Sequence, residues 1–203
     1  MSVASAATIA ERYGRVCEQV GPHVTVVVAT KYVTVDDLAA LAEAGVAVVG
    51  ENRAQDLESK HARYGDAFRW HFIGHLQSNK VKVVNGLCEL VHSLGSDSAA
   101  RRLRVPSLLE VNLSAEGSKS GVAPEEIGDY VTQYPLIRGL MTMPPLTADA
   151  EESRPYFRRL RQLVADHGLE ELSMGTSQDY RVAAEEGATL VRVGSAIFSA
   201  GQG

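Results

Sequence analysis

Short apolar runs recur along the chain, and most are separated by a segment with helical periodicity. The runs cover residues 24–30, 46–50, 70–74, 89–93, 107–113, 137–143, 171–175 and 190–194, eight in all. Each is too short for a stable buried helix, and the first, VTVVVAT, is nearly all β-branched. Such runs read as strands covered on both faces. The segments between them repeat their apolar positions with the period of an amphipathic helix, and several carry helix-end signals. Thr34 precedes Asp36 and Asp37, and Gly45 follows, as an N-cap, first-turn carboxylates and a C-terminal glycine should. Pro124 opens a helix that runs to about Tyr134. Residues 154–167 form another, closed by Gly168, and residues 179–186 a further one, closed by Gly187. Ile9, Tyr13, Val16 and Val20 mark a helix ahead of the first strand.

Strand and helix in alternation imply parallel pairing with right-handed crossovers. Eight such units close into a (β/α)8 TIM barrel of the α/β class, and a single domain over residues 1–203 falls at the short end for that fold. A doubly wound open sheet is the alternative. No glycine-rich turn follows the first strand, which weakens a nucleotide-binding version of it. The crossover at 94–105 (LGSDSAARRLRV) has room for only a short helix. Met143-Pro144-Pro145 reads as a loop after a strand, not a domain boundary.

Composition narrows the function more than the fold. The apolar content of 45% and charged content of 22% are ordinary for a globular protein. A net charge of −5 argues against a nucleic-acid or polybasic membrane partner. The local clusters Arg101-Arg102-Arg104 and Arg158-Arg159-Arg161 read as solvated helix faces. No run approaches the roughly 20 apolar residues of a membrane span, and the first 16 residues lack the pattern of a signal peptide. Cys17 and Cys88 form no CxxC pair and read as reduced, structural thiols of a cytoplasmic protein. No His/Cys cluster has metal-ligand spacing.

In a barrel the chemistry gathers at the C-terminal ends of the strands. Those positions hold Lys31, Glu51-Asn52, Gly74-His75, Ser93, Asn112, Met141 to Pro144, Gly175-Thr176-Ser177 and Gly194-Ser195. Lys31 ends the first buried strand. A lysine held there in a partly desolvated site is more readily neutral, and a neutral amine can attack a carbonyl to form a Schiff base. Most strand-end lysines instead send the ammonium out to water. The small residues of the seventh and eighth loops suit the place where barrels bind phosphate, although Gly, Ser and Thr also supply ordinary tight turns. Lysine and phosphate loops together point to a phosphorylated aldehyde or ketone. Pyridoxal 5′-phosphate (PLP) fits, and a sugar phosphate held by a Schiff-base aldolase fits almost as well.

Seven motifs occur in order: ATKYV (29–33), GENRAQ (50–55), WHFIGHLQSNK (70–80), SKSG (118–121), RGLMTM (138–143), LSMGTSQDY (172–180) and VRVGSAIFS (191–199). Together they resemble the YggS/PROSC family of PLP-homeostasis proteins over nearly the whole chain, the longest motif being highly specific. The resemblance implies a barrel like the N-terminal domain of bacterial alanine racemase, with the cofactor joined to Lys31 as a Schiff base. It implies that Ser177, Gly194 and Ser195 hold the phosphate, helped by amides near Gly175 and Thr176. Arg192 would face the pyridine nitrogen and leave it unprotonated, a weaker electron sink than a carboxylate partner gives. Asn52 and His71 would surround the ring, with Met141 a further cofactor-binding position. For His71 a packed strand histidine is the competing reading, and for Glu51 a cap on the following helix. The chain departs from the family at 94–105, which looks short for the fourth helix, and in having Ser195 where threonine is also common.

Racemisation needs a base on each face of the substrate carbon, and in alanine racemase the second comes from another domain and subunit. A single domain is expected here, with no second domain to supply that base, and Tyr32 and Tyr180 have no evident part in such chemistry. The resemblance therefore implies a non-enzymatic protein with no catalytic residues, which buffers the cofactor or delivers it to PLP-dependent apo-enzymes. A weak amino-acid racemase is the alternative, and a purely structural interaction protein a third class. A monomer is expected, since no long apolar seam demands a partner.

Overall fold

A computed structural model of the chain describes residues 4–114 and 120–199. Ser118 and Lys119 of the SKSG motif lie outside the described residues. Eight parallel strands close a barrel in sequence order: β1 Thr25–Ala29, β2 Val48–Glu51, β3 Arg69–Phe72, β4 Leu90–Leu94, β5 Ser107–Glu110, β6 Ile137–Met141, β7 Glu171–Thr176 and β8 Leu190–Val193. The last strand pairs with the first through Thr25 to Leu190 and Val28 to Val193, so no edge is left open. Every predicted run overlaps one of these strands. The run at 107–113 extends past its strand because Val111 keeps only an isolated bridge to Val122.

The connecting helices are α2 Leu38–Glu43, α3 Ala54–Tyr64, α4 Val81–Leu87, α5 Asp97–Ala100, α6 Ile127–Gln133, α7 Arg154–Asp166 and α8 Tyr180–Glu185, with α9 Ser195–Phe198 after the last strand. The crossover at 94–105 holds only the single turn α5, as its length dictates. Thr34 caps a turn ahead of the helix rather than the helix itself: its Oγ accepts from the Asp37 amide at 3.3 Å, and α2 begins only at Leu38. Helix α1, Ala6–Val20, buries Ile9, Val16 and Val20 and packs against α2, α8 and α9. Ser5 caps its N-terminus. It thereby covers the outside of the β8–β1 closure.

Side chains alternate between two cores, as the period of a strand requires. The outer core lies between strands and helices. The inner one fills the barrel with Val27, Val48, Leu90, Leu108, Met141 and Leu190. Each such burial is worth roughly 1.5–3 kcal/mol. The predicted solvated face of α7 is not wholly solvated. Arg158 and Arg161 converge with Arg154 on Glu186, a buried carboxylate, which ties α7 to the end of α8. Cys17 and Cys88 are free thiols, and burial pushes Cys88 up to about 12. No helix among the described residues is long and apolar enough to cross a membrane.

Candidate functional site

A cleft of about 720 Å³ opens at the C-terminal mouth, over β1, β2, β7 and β8. It takes in Lys31, Asn52, Ser177, Arg192, Gly194 and Ser195 from the sequence-predicted set. His71 and Met141 are not part of its lining. Met141 faces the inner apolar core, and Met143, two residues on and so on the same face one layer higher, reaches the cleft instead. Gly74, His75, Ser93 and Asn112 are not among its lining residues, although Ile73, just past β3, is.

Lys31 follows β1 on an exposed turn, and its Nζ sits 4.9 Å from the centroid of the Tyr32 ring, a cation–π contact. The partly desolvated ammonium of the sequence reading is thus not what the structure holds; the tip is open to water. What is buried is the support beneath. Thr30 has no exposed surface, and its carbonyl accepts from Lys60 Nζ of α3 at 2.8 Å. Thr30 Oγ donates to Glu51 Oε1 at 2.6 Å, and the same carboxylate oxygen pairs with Lys60. Glu51 Oε2 accepts the Asn52 amide at 3.1 Å. Glu51 therefore does not cap a helix. It joins a buried ion pair that locks the residue before Lys31 and the residue before Asn52 to α3. Gly74 completes this wall: a Cβ there would lie 2.1 Å from the Asn52 carbonyl oxygen, so only glycine lets the two loops touch. Asn52 Oδ1 is buried and has no hydrogen-bond partner among the described residues.

The opposite wall comes from β7 and β8. Gly175, at φ 89°, lets the chain turn against α8, where a Cβ would meet Ala183 Cβ at 2.5 Å. The Thr176 amide donates to Asp179 Oδ1 at 2.7 Å, so it is engaged inside its own loop and not offered to the cleft. Ser177 Oγ accepts from the amides of Gly194 at 3.0 Å and Ala196 at 3.1 Å. Two backbone donors thus converge on one point beside the Ser195 side chain, an arrangement that suits anionic oxygen.

Between the walls lies Arg192, buried on β8. It donates to the Ser173 carbonyl at 3.2 Å, to Ser173 Oγ, to the Thr142 carbonyl at 3.1 Å and to Met143 Sδ at 3.0 Å. Burial pulls the guanidinium down to about 10, with Glu110 and Asp179 opposing the shift, so it stays charged at neutral pH. His71 lies deeper, buried on β3. Its Nδ1 is 2.9 Å from His92 Nε2, and its Nε2 is 3.1 Å from Glu89 Oε1. Burial lowers its pKa, with Glu89 opposing the shift. Tyr180 is buried too, donating to Gln19 of α1 at 2.5 Å, outside the cleft.

Sequence reasoning missed Lys60, His92 and Ser173. Lys60 carries no local signal, since it sits among the charges of an amphipathic helix. His92 and Ser173 carried a readable signal that went unused: each interrupts an apolar run whose neighbours are buried.

The donor set fits a phosphorylated aldehyde: an open amine, two converging amides with hydroxyls beside them, a buried cation between, and one unpartnered buried acceptor on Asn52. No group of three or more His, Cys, Asp or Glu is placed to hold a metal among the described residues. Comparison with known proteins places the fold first. Alanine racemase from Bartonella henselae, solved with covalently bound pyridoxal phosphate, superposes with a TM-score of 0.78 at 13% identity, over 97% of this chain and 59% of that one. The class is therefore the alanine-racemase-like barrel. PipY of Synechococcus elongatus, solved with PLP bound, is nearer: 32% identity, TM-score 0.86, covering 94% of this chain and all of that one. The pyridoxal phosphate homeostasis protein of Aquifex aeolicus is 37% identical over 94% of both chains. A scan against protein-family models finds no match. The chain belongs to the pyridoxal phosphate homeostasis protein family.

Proposed function

We propose that this chain binds PLP in the cleft and serves PLP homeostasis as a reversible carrier rather than as an enzyme. The observation that carries the reading is the placement of Lys31 across one cleft from the Ser177–Gly194–Ser195 corner, with Arg192 between them. Lys31 would offer the amine that holds the cofactor's aldehyde covalently and reversibly. Ser177, Ser195 and the amides of Gly194 and Ala196 would hold the phosphate. Arg192, a fixed cation without a lone pair to offer, would face the ring nitrogen and disfavour its protonation. Asn52 would supply its unpartnered Oδ1 near the ring. His71 and Met141 keep no direct role in this reading, and Met143 replaces Met141.

The carrier reading rests on what surrounds Lys31. Of the residues lining the cleft, the titratable ones are Lys31, Tyr32 and Arg192. Proton exchange at a substrate carbon needs a fixed base on each face. Tyr32 is 87% exposed and lies against the Lys31 ammonium, so nothing pins it opposite the lysine. The open lysine instead suits release of the cofactor to PLP-dependent apo-enzymes. We place this exchange in the cytoplasm, where free Cys17 and Cys88 stay reduced, with the chain acting as a monomer. The test is incubation of the PLP-loaded protein with L-alanine or L-serine in heavy water. We expect no catalytic exchange of the α-proton; rapid exchange, or D-amino acid formation, would overturn the carrier reading in favour of a racemase.

A further inference from the structure

Four polar side chains stand in the barrel interior, where the neighbouring layer is wholly apolar. Arg192 and His92 share a face with Leu190 and Leu90 of the inner core, two residues earlier on β8 and β4. His71 and Ser173 complete the set, and all four are buried. They form one line. Arg192 Nη1 donates to Ser173 Oγ. Ser173 Oγ lies 2.7 Å from His92 Nδ1, His92 Nε2 lies 2.9 Å from His71 Nδ1, and His71 Nε2 lies 3.1 Å from Glu89 Oε1. Glu89 directly precedes β4, so it stands at the N-terminal mouth, with its side chain 45% exposed.

The carboxylate end, with both rings neutral, fixes the direction of every bond. A guanidinium can only donate and a carboxylate can only accept. Ser173 accepts from Arg192. From the carboxylate end, His71 must donate to Glu89, and with both rings neutral each passes the requirement on, so Ser173 donates to His92 Nδ1. His92 must carry its proton on Nε2 and give it to His71 Nδ1, and His71 must carry its proton on Nε2, facing Glu89. Both rings are neutral, as burial dictates: it lowers His71, and it lowers His92 further, aided by His71 and Arg192. The charged and titratable groups facing the column are Glu89 and Arg69 at the N-terminal mouth and Glu110 and Asp179 near Arg192. Glu171 precedes Ser173 by two residues on β7. An aliphatic layer would fill this space without the cost of desolvating two imidazoles. The polar line earns its place by what it does to Arg192.

We infer that Ser173 and His92 are positioning residues for Arg192, and that His71 and Glu89 extend them into a one-way hydrogen-bond column linking the cleft to the far mouth of the barrel. Its consequence for the cofactor rests on the PLP reading of the cleft: charge at Glu89 is felt at the arginine facing the ring. The column itself does not depend on that reading, so it is tested in protein without PLP. Nitrogen NMR of labelled histidine at pH 7 should show both rings neutral and protonated on Nε2. Exchange of the Arg192 guanidinium protons with water should quicken about tenfold in Ser173→Ala, the loss of one hydrogen bond to a charged group. Ser173→Thr, which keeps the hydroxyl, should restore slow exchange. Glu89→Gln, at the exposed end, should quicken it by a smaller factor, which a merely space-filling column would not transmit. A proton on His92 Nδ1, or Arg192 exchange unchanged in Ser173→Ala, would overturn the inference. Uptake of PLP by the same variants, followed by absorbance, judges the PLP reading separately.

Discussion

The two walls of the cleft solve one problem, a buried cation, in different ways. Under Lys31, the Lys60 ammonium meets the Glu51 carboxylate directly, with Thr30 and Asn52 filling the remaining hydrogen bonds. Under Arg192, the guanidinium's hydrogen bonds among the described residues go to neutral groups, and a carboxylate is reached at the end of the column, at Glu89. The first arrangement is compact and fixes two loop backbones; the second is extended and fixes one side chain. Contact pairing makes the ion pair expensive to break, because either partner left alone is a buried charge. The column spreads its cost over several neutral hydrogen bonds, each worth less.

The largest expected effect follows from that difference. Lys60→Met strands the Glu51 carboxylate in a site with no exposed surface. It should lower the unfolding free energy by about 3–5 kcal/mol, read from urea denaturation at pH 7. Ser173→Ala should cost less, about 1–2 kcal/mol, because Arg192 keeps its bonds to the Ser173 and Thr142 carbonyls. If the two variants lose equal stability, the contrast between the walls fails.

A smaller effect separates the walls by pH. His71 and His92 have folded-state pKa values below the ordinary one near 6.5, chiefly through burial. The unfolded chain therefore binds more protons as pH falls through about 6.5. Stability contributed by the neutral rings is complete above that value and drains away as pH falls below it towards the folded-state values. Urea midpoints measured between about pH 7 and pH 5 should decline in the wild type. They should decline less in His92→Phe, which removes the ring whose pKa burial depresses most; equal slopes would contradict the neutral column.

The barrel was legible because the eight runs are short, apolar and separated by capped helical segments, signals that depend only on local sequence. The cleft's walls were legible in part. Lys31, Ser177, Gly194 and Ser195 sit at strand ends, and strand ends are readable. Arg192 was named only through the family resemblance, not by its position in the run. Met141 was misplaced because a strand's inner face holds successive layers, and sequence does not say which one meets the cleft. His71 was read as a ring neighbour, yet its hydrogen bonds run to His92 and Glu89. Lys60 was invisible: nothing in a charged helix distinguishes the one lysine that turns inward to a carboxylate from a different strand. Pairings across the barrel, such as His92 with Ser173, require the closed topology before they can be seen.

The central claim is that Lys31 is the covalent tether. Protein incubated with PLP, reduced with borohydride and digested should yield one pyridoxyl-modified peptide by mass spectrometry, containing Lys31. Lys31→Ala treated in the same way should yield none. An adduct on Lys60, Lys80 or Lys82 in the wild type, or undiminished labelling in Lys31→Ala, would contradict the account.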